Sequence, residues 1–413
     1  MSFVGVREPS AGLLLDPAVI DDPYAFYRQL VAAAPVWRVP GTDVVIVSSF
    51  AAVTEAVSRV DEFSSNLRSL LYRNDAGTPE VFPFAQVDGV HTLATADPPV
   101  HSVHRGAVFP ELVARRMAEL RPEIEELAEA RIDRALSEPS FEAMDAIANA
   151  IPIRVVSKLI GFQSEDPDQL LAAAFDSTAM LAAAEPLDEI VAAMERTAQI
   201  FFWIGEQLRQ AREGGADGIL GVVAAAVADG TIAEDEGLVI LHTLLSAGGE
   251  STTSLLGNAI HLLASRPELQ ARVRAEPVLV TPFIEEVLRL ESPFRYHLRH
   301  ATTTAELLGV TIPAGATMLL FWGAANRDPA EYERPDEVVL DRPAPRHHLA
   351  FGRGIHHCVG APLARLEAEI VLTRLFERTE HFALDPDDAP VRLRSLMVRR
   401  FRSLPVRATP RPG

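Results

Sequence analysis

The segment GLVILHTLLSAGGESTTSLLGNAIHLLAS, residues 237–265, constrains this chain more than any other. Its one charged residue, Glu250, stands at the middle. Apolar residues surround the helix on all faces instead of forming one stripe, the pattern of a helix buried on every side. At 1.5 Å per residue such a helix reaches roughly 40 Å, enough to run through the centre of a domain. A membrane span is the other reading, but the run is isolated, acidic on one flank and without targeting context. In a core helix, a central carboxylate must have a partner or a task.

The remaining pattern is mainly helical with small sheets. Apolar periodicity predicts helices over about 111–290 and 359–380, punctuated by turns such as SEPS, SEDPD and REGGADG. The N-terminal part reads as DPAVIDDPYAFYRQL, one short helix, then DVVIVSS (43–49), a strand. Residues 62–99, rich in Gly, Pro, Asn and Asp, read as a long loop, functional or mobile. β-structure is expected again over 300–345 and 390–407. With no linker, repeat or low-complexity stretch, residues 1–413 are expected to form a single domain.

A net charge of −19 disfavours nucleic acid and anionic membrane surfaces as partners. One cysteine excludes an internal disulfide and a Cys–Cys zinc pair. The start MSFVGVREPSAG has no basic-then-apolar signal segment, so a cytoplasmic protein is expected.

That cysteine, Cys358, lies in FGRGIHHCVG (351–360), just before a helix. A lone cysteine is commonly an inert, small hydrophobe. Here a helix N-terminus favours the thiolate, and Gly352, Gly354 and Gly360 allow backbone amides to approach the sulfur. His356 and His357 offer a base to a nucleophile, yet neighbours at i−1 and i−2 need not reach it. A metal-ligand role fits better than a nucleophilic one.

The loop resembles the haem-thiolate segment of the cytochrome P450 monooxygenases, F-G-x-G-x-H-x-C-x-G. Phe351, Gly352, Gly354, His356, Cys358 and Gly360 match it at every fixed position, and the likeness extends over nearly the whole chain. It implies a triangular prism-like helical architecture around a buried haem b, with Cys358 on the iron. EEVLR resembles the family's E-x-x-R motif, implying a structural triad of Glu286, Arg289 and, from LDRP, Arg342. ADPPVHSVHRG places His101 and Arg105 one helical turn apart. With Arg299 and His356 these are implied to hold the haem propionates, while His104 is read as a surface residue. AGGESTT resembles A/G-G-x-D/E-T-T, which places Ala247 and Gly248 beside the haem. It implies proton delivery by Glu250 and Ser251, and a helix that opens locally at Gly248–Gly249. Ser251 stands where the family has threonine; it keeps the hydroxyl but loses the methyl that fixes χ1, implying looser proton control and more peroxide leakage. A serine that only satisfies its own helix carbonyl is the alternative.

The resemblance implies oxygen-dependent oxidation of a small, mostly lipophilic substrate by a monomer. Electrons would come from a ferredoxin and its reductase, docking on Arg346, His347, His348, Arg353, Arg115 and Arg116. The pocket is expected between residues 64–95, the helices near 165–205, Ala247–Ser251, Pro293, Phe294, Arg295, His297, Leu396 and Met397. Arg295 would recognise a polar or carboxylate substrate, or else lie at the surface or in a structural ion pair. A peroxide-driven oxygenase, a non-catalytic haem sensor and a cysteine hydrolase are the competing classes. The acid–alcohol pair argues against the first two, and the order of the motifs against the third.

Overall fold

The computed structural model describes residues 8–83, 89–163, 166–183 and 186–411, without the side chains of 114 and 115. Two short helices open it, α1 (Pro17–Asp21) and α2 (Tyr24–Ala33), where the pattern suggested one. Asp16 caps α1 by accepting from the Ala18 and Val19 amides. Strands β1 (Val36–Arg38) and β2 (Val44–Val47), helix α3 (Phe50–Ser58) and strand β3 (Phe63–Ser64) follow. The segment expected to be one long loop contains a hairpin, β4 (Ser69–Arg73) and β5 (Pro79–Pro83), turning near Gly77 at φ +76°. The polar turn residues masked the two strands flanking them. Residues 84–88 of that expectation lie outside the described residues.

The helical body begins with α4 (Val100–Val108) and α5 (Ala114–Ala135). Strand β6 (Ser140–Glu142) and a π-helical turn, Met144–Ala148, interrupt it. Then come α6 (Ala150–Ile160), α7 (Pro167–Ala179), α8 (Leu187–Gly214) and α9 (Gly218–Ala228). The apolar segment is α10 (Glu234–Ala264), followed by α11 (Pro267–Ala275) and α12 (Val280–Leu290). Strands β7 (His297–Ala301), β8 (Ala305–Leu307), β9 (Val310–Ile312) and β10 (Thr317–Leu320) precede the short α13 (Trp322–Ala325). β-structure therefore ends at 320, short of the expected 345. Helix α14 (Ala361–Arg378) runs straight into β11 (Thr379–Leu384), a strand the helical pattern concealed. β12 (Val391–Arg392), β13 (Phe401–Ser403) and β14 (Pro405–Pro410) finish the chain.

Helix α10 packs against α6, α7, α8, α9, α12 and α14, so its apolar surface is consumed on all sides. Its first turn, Glu234–Glu236, suits the positive end of the helix dipole, and Glu236 accepts from the Ala233 amide at 2.9 Å. Buried polar side chains on it are bonded: Thr253 donates to the Ala148 carbonyl, and Asn258 to that of Arg399. The family resemblance implied that the helix opens at Gly248 and Gly249, yet α10 is α-helical throughout. The glycines serve packing instead. A Cβ at 248 would lie 2.6 Å from Val156 of α6, and one at 249 3.2 Å from Ala174 of α7.

The largest sheet has the order β1-β2-β10-β7-β3. β10 lies parallel to β2 and antiparallel to β7, which sets Arg299 opposite Met318. Among the described residues no helix is long and apolar enough to cross a membrane.

His242 of α10 is buried, its Nε2 2.8 Å from Ser177 Oγ of α7 and its ring stacked on Phe201. Burial lowers its pKa from 6.5 to about 4. Below pH 6.5 the unfolded chain takes up a proton that the folded chain refuses, so stability falls as pH drops toward 4. The contribution is roughly 3 kcal/mol across that window. Denaturant unfolding at pH 7, 5.5 and 4.5 is expected to show a shallower acid loss for His242→Gln than for the native chain.

Candidate active site

Cys358 sits one residue beyond the reach of a tight turn. Gly352 (φ +66°) and Gly354 (φ +74°) adopt the left-handed conformation that glycine alone tolerates easily, and the Cys358 amide donates to the Phe351 carbonyl at 2.9 Å. The side chain borders a cavity, and by accessible surface it counts as exposed there. Protein atoms crowd it on its other sides, so burial raises the thiol pKa. The Gly360 and Ala361 amides and the charges of Arg105 and Arg365 act against that rise and favour the thiolate.

At one end of the same cavity, nitrogen donors gather. Arg299, from β7, and Arg105, from α4, line it and make no ion pair among the described residues. Arg299 is buried, which lowers its pKa to about 10. Arg105 donates to the His357 carbonyl at 2.9 Å and so ties α4 to the thiol loop. His101 and His356 lie with ring centroids 4.4 Å apart. His356 Nε2 meets Ser65 Oγ at 2.9 Å, while its buried Nδ1 has no partner. Burial, then Arg299 and the neighbouring histidines, lowers the His356 pKa to about 3. Cations and an orphaned donor or acceptor beside a thiol match a flat, apolar group that carries carboxylates, and haem has this chemistry. Ala247, Gly248, Ser251, Phe351 and Gly360 complete this part of the wall.

Sequence reasoning placed His297 in the substrate pocket but missed its partner. Trp322 Nε1 donates to His297 Nδ1 at 2.6 Å, which leaves the proton on Nε2. Both residues line the cavity with Pro293 and Phe294. Arg295 does not. It is buried elsewhere, donating to the carbonyls of Ile20 (2.8 Å) and Ser395. Its amide donates to the Met397 carbonyl at 2.7 Å, and with its guanidinium on Ile20 and Ser395 it is held toward the second apolar cluster, not the cavity. Leu396 and Met397 pack with Tyr296 and Phe321 in a separate apolar cluster and do not line the cavity either. No described residue of 165–205 reaches this wall; Val156 and Ile160 of α6 and Ile219 of α9 occupy it. A more open, polar cleft between α5, α6 and α7, lined by Arg131, Arg154 and Asp168, shares no residue with it.

Glu286 and Arg289 form a two-point pair at 2.7 and 2.9 Å, and Arg342 Nε adds a bond to Glu286 at 2.9 Å. Glu286 also accepts from the Val339 amide. Burial pushes its pKa up, the Arg289 hydrogen bond and charge pull it down, and the net shift is downward.

Glu250 is fully buried and faces away from the cavity. Its partners are Arg400 Nε at 2.7 Å and Thr178 Oγ1 at 3.0 Å, neither found by sequence spacing. Burial raises its pKa, and Arg400 resists the rise. Ser251 lines the cavity, and its hydroxyl donates to the Ala247 carbonyl at 2.6 Å. His104 is not at the surface: it is buried, with Nε2 3.4 Å from Glu236. Of the expected docking residues, Arg346 and Arg353 are exposed, His347 pairs with Glu331, and Arg116 with Glu111 and Glu119. His348 is buried against Glu285, so it cannot contribute to such a face. The Arg115 side chain lies outside the described residues.

Residues 153–400 match the family model for Cytochrome P450. Cytochrome P450 144 of Mycobacterium tuberculosis is 40% identical over 386 residues, covering 93% of this chain and 88% of that protein. The cytochrome P450 monooxygenase PikC of Streptomyces venezuelae is 32% identical, covering 97% of each. Cytochrome P450 CREJ, solved with (4-ethylphenyl) dihydrogen phosphate, superposes with a TM-score of 0.87 at 25% identity, covering 99% of this chain and 100% of that one. These likenesses define the class: a haem-iron oxidoreductase that inserts oxygen into small molecules. The chain belongs to the cytochrome P450 family.

Removing one partner from a buried ion pair strands the other charge, at a cost of about 3–5 kcal/mol. Glu286→Gln is expected to lose that much in denaturant unfolding.

Proposed function

We propose that the protein binds haem b with Cys358 as the thiolate ligand and oxidises a small, mostly lipophilic substrate with electrons from a ferredoxin and its reductase. One observation carries the reading: the chain's single thiol shares a cavity with two cations, Arg105 and Arg299, that make no ion pair among the described residues, and with the imidazoles of His101 and His356. His101, Arg105, Arg299 and His356 would hold the two haem carboxylates. Phe351, Gly360, Ala247 and Gly248 would bound the flat faces. Bound there, the cofactor supplies the oxidising chemistry, and a thiolate ligand favours O–O cleavage.

The chain's own contribution is to hold and move protons. Burial keeps the Glu250 carboxyl protonated to higher pH than an ordinary glutamate, and Ser251, the next residue, presents a hydroxyl to the cavity. Passing a proton requires Ser251 Oγ–H to swing off the Ala247 carbonyl and Glu250 to loosen its hold on Thr178. Pro293, Phe294 and His297 would contact substrate. The single cysteine leaves these 413 residues no site for a cysteine-ligated cluster, which supports an external donor. Arg346 and Arg353 would carry donor docking. A single domain of 1–413, monomeric and cytoplasmic, completes the reading.

A second reading, peroxide-driven oxidation, is favoured by the engaged state of Glu250 and Ser251, because that route asks neither to move. A non-catalytic haem sensor would need neither group.

Reduced protein under carbon monoxide is expected to absorb at the long wavelength peculiar to thiolate-ligated haem, and Cys358→Ala to lose that band. Its absence from the native protein overturns the proposal. Glu250→Gln and Ser251→Ala are each expected to slow turnover with oxygen, NAD(P)H and ferredoxin components by about 10²-fold. Comparable turnover by native and variant proteins on hydrogen peroxide alone would instead favour the second reading. Arg299→Gln is expected to lose haem faster on dilution, read from the Soret band.

A further inference from the structure

Two neighbouring glutamates of α12 are buried, and they face different partners. Glu286 belongs to the triad. Glu285 faces α14, where Arg365 Nε and Nη2 donate to its oxygens at 2.7 and 3.0 Å. His348 Nε2 adds a contact at 2.9 Å, and Arg346 approaches to 3.5 Å from the surface. The Glu285 side chain is 1% exposed and that of Arg365 19%. Burial raises the Glu285 pKa, the His348 and Arg365 hydrogen bonds outweigh it, and the result is about 2. Glu285 therefore holds a full negative charge out of water.

So held, the Arg365 guanidinium lies over the Phe351 ring, 4.5 Å from its centroid. Phe351 in turn accepts the Cys358 amide hydrogen bond and lines the thiol cavity. The cation, the ring and the thiol loop thus form one stack. The charge of Arg365, like that of Arg105, also favours the Cys358 thiolate.

We propose that Arg365 is a positioning residue for the thiolate: Glu285 pins its charge over Phe351, and the balance of the two charges sets how much electron density the sulfur keeps. A cation nearby stabilises negative charge on sulfur and iron, so it makes the metal easier to reduce. Glu285 offsets part of that effect. The two members of the pair therefore act on the reduction potential in opposite directions, although removing either loosens the same contact. A purely structural brace would push both the same way.

The inference rests on Cys358 being the haem ligand, as proposed above. The test uses the full-length, haem-loaded protein and its midpoint potential, measured by spectroelectrochemical titration beside the carbon monoxide spectrum. Arg365→Gln is expected to shift the potential downward and Glu285→Gln upward, with the double variant between them. Arg365→Lys, which keeps the charge, is expected to stay nearer the native value than Arg365→Gln. Singles that move together, or Lys and Gln variants that move equally, overturn the inference. If Glu285→Gln yields no folded haem protein, the Lys–Gln comparison at 365 decides alone. A native protein without the thiolate band defeats the reading of Cys358 and this inference together; a native band with potentials that fail to diverge defeats the inference alone.

Discussion

A guanidinium sealed from water must find an acceptor for every N–H it carries, and Arg289 does so. It is fully buried, and its five donors reach both Glu286 oxygens and the carbonyls of Asn326, Pro335 and Glu337. Those carbonyls belong to the irregular stretch that follows α13. Tyr332 lies under the same guanidinium, 5.0 Å from ring centroid to cation. One side chain thus anchors a segment without helix or strand to α12, and the thiol loop continues from that segment. The cost of stranding any of these groups fixes the loop more firmly than the strength of any single bond.

The buried acid in α10 poses the same problem with a different solution. Glu250 is answered by Thr178 on α7 and by Arg400 next to β13, and Arg400 itself lies over the ring of Phe175 on α7. The helix is therefore tied to elements far apart in sequence at the level of the cavity. Close packing through Gly248 and Gly249 brings α6 and α7 near enough for those ties.

What could be read in advance was local. The helix around Glu250, the Cys358 loop and the Glu286–Arg289 spacing are contiguous patterns whose periodicity or turn chemistry is complete within a few residues. The partners were not legible, because Glu250–Arg400, His356–Ser65 and Arg365–Glu285 join positions separated by 80 to 291 residues. The errors follow from the same limit. Arg295 sits between two cavity residues in sequence, yet an isolated bridge, Phe294 to Val398, turns the backbone and sends it into the opposite core. His104 belongs to a helix whose polar composition suggests solvent, and only the neighbouring α9 and α10 show that it is covered. Helix α14 ends within two residues of the expected 380, but β11 follows it without a break and was not expected.

The register of the main sheet carries a consequence for how the sequence can drift. Arg299 reaches the cavity as the middle residue of a five-residue strand, with Leu298 and His300 directed to the other face. Its aim is a matter of parity. An insertion at the Leu308–Gly309 turn, between β8 and β9, leaves β7 in phase with β10, so that turn is free to lengthen over generations. One extra residue inside β7 would exchange faces and swing a leucine or a histidine to where the guanidinium now points. Indels in this region should therefore be inherited only outside the ladder.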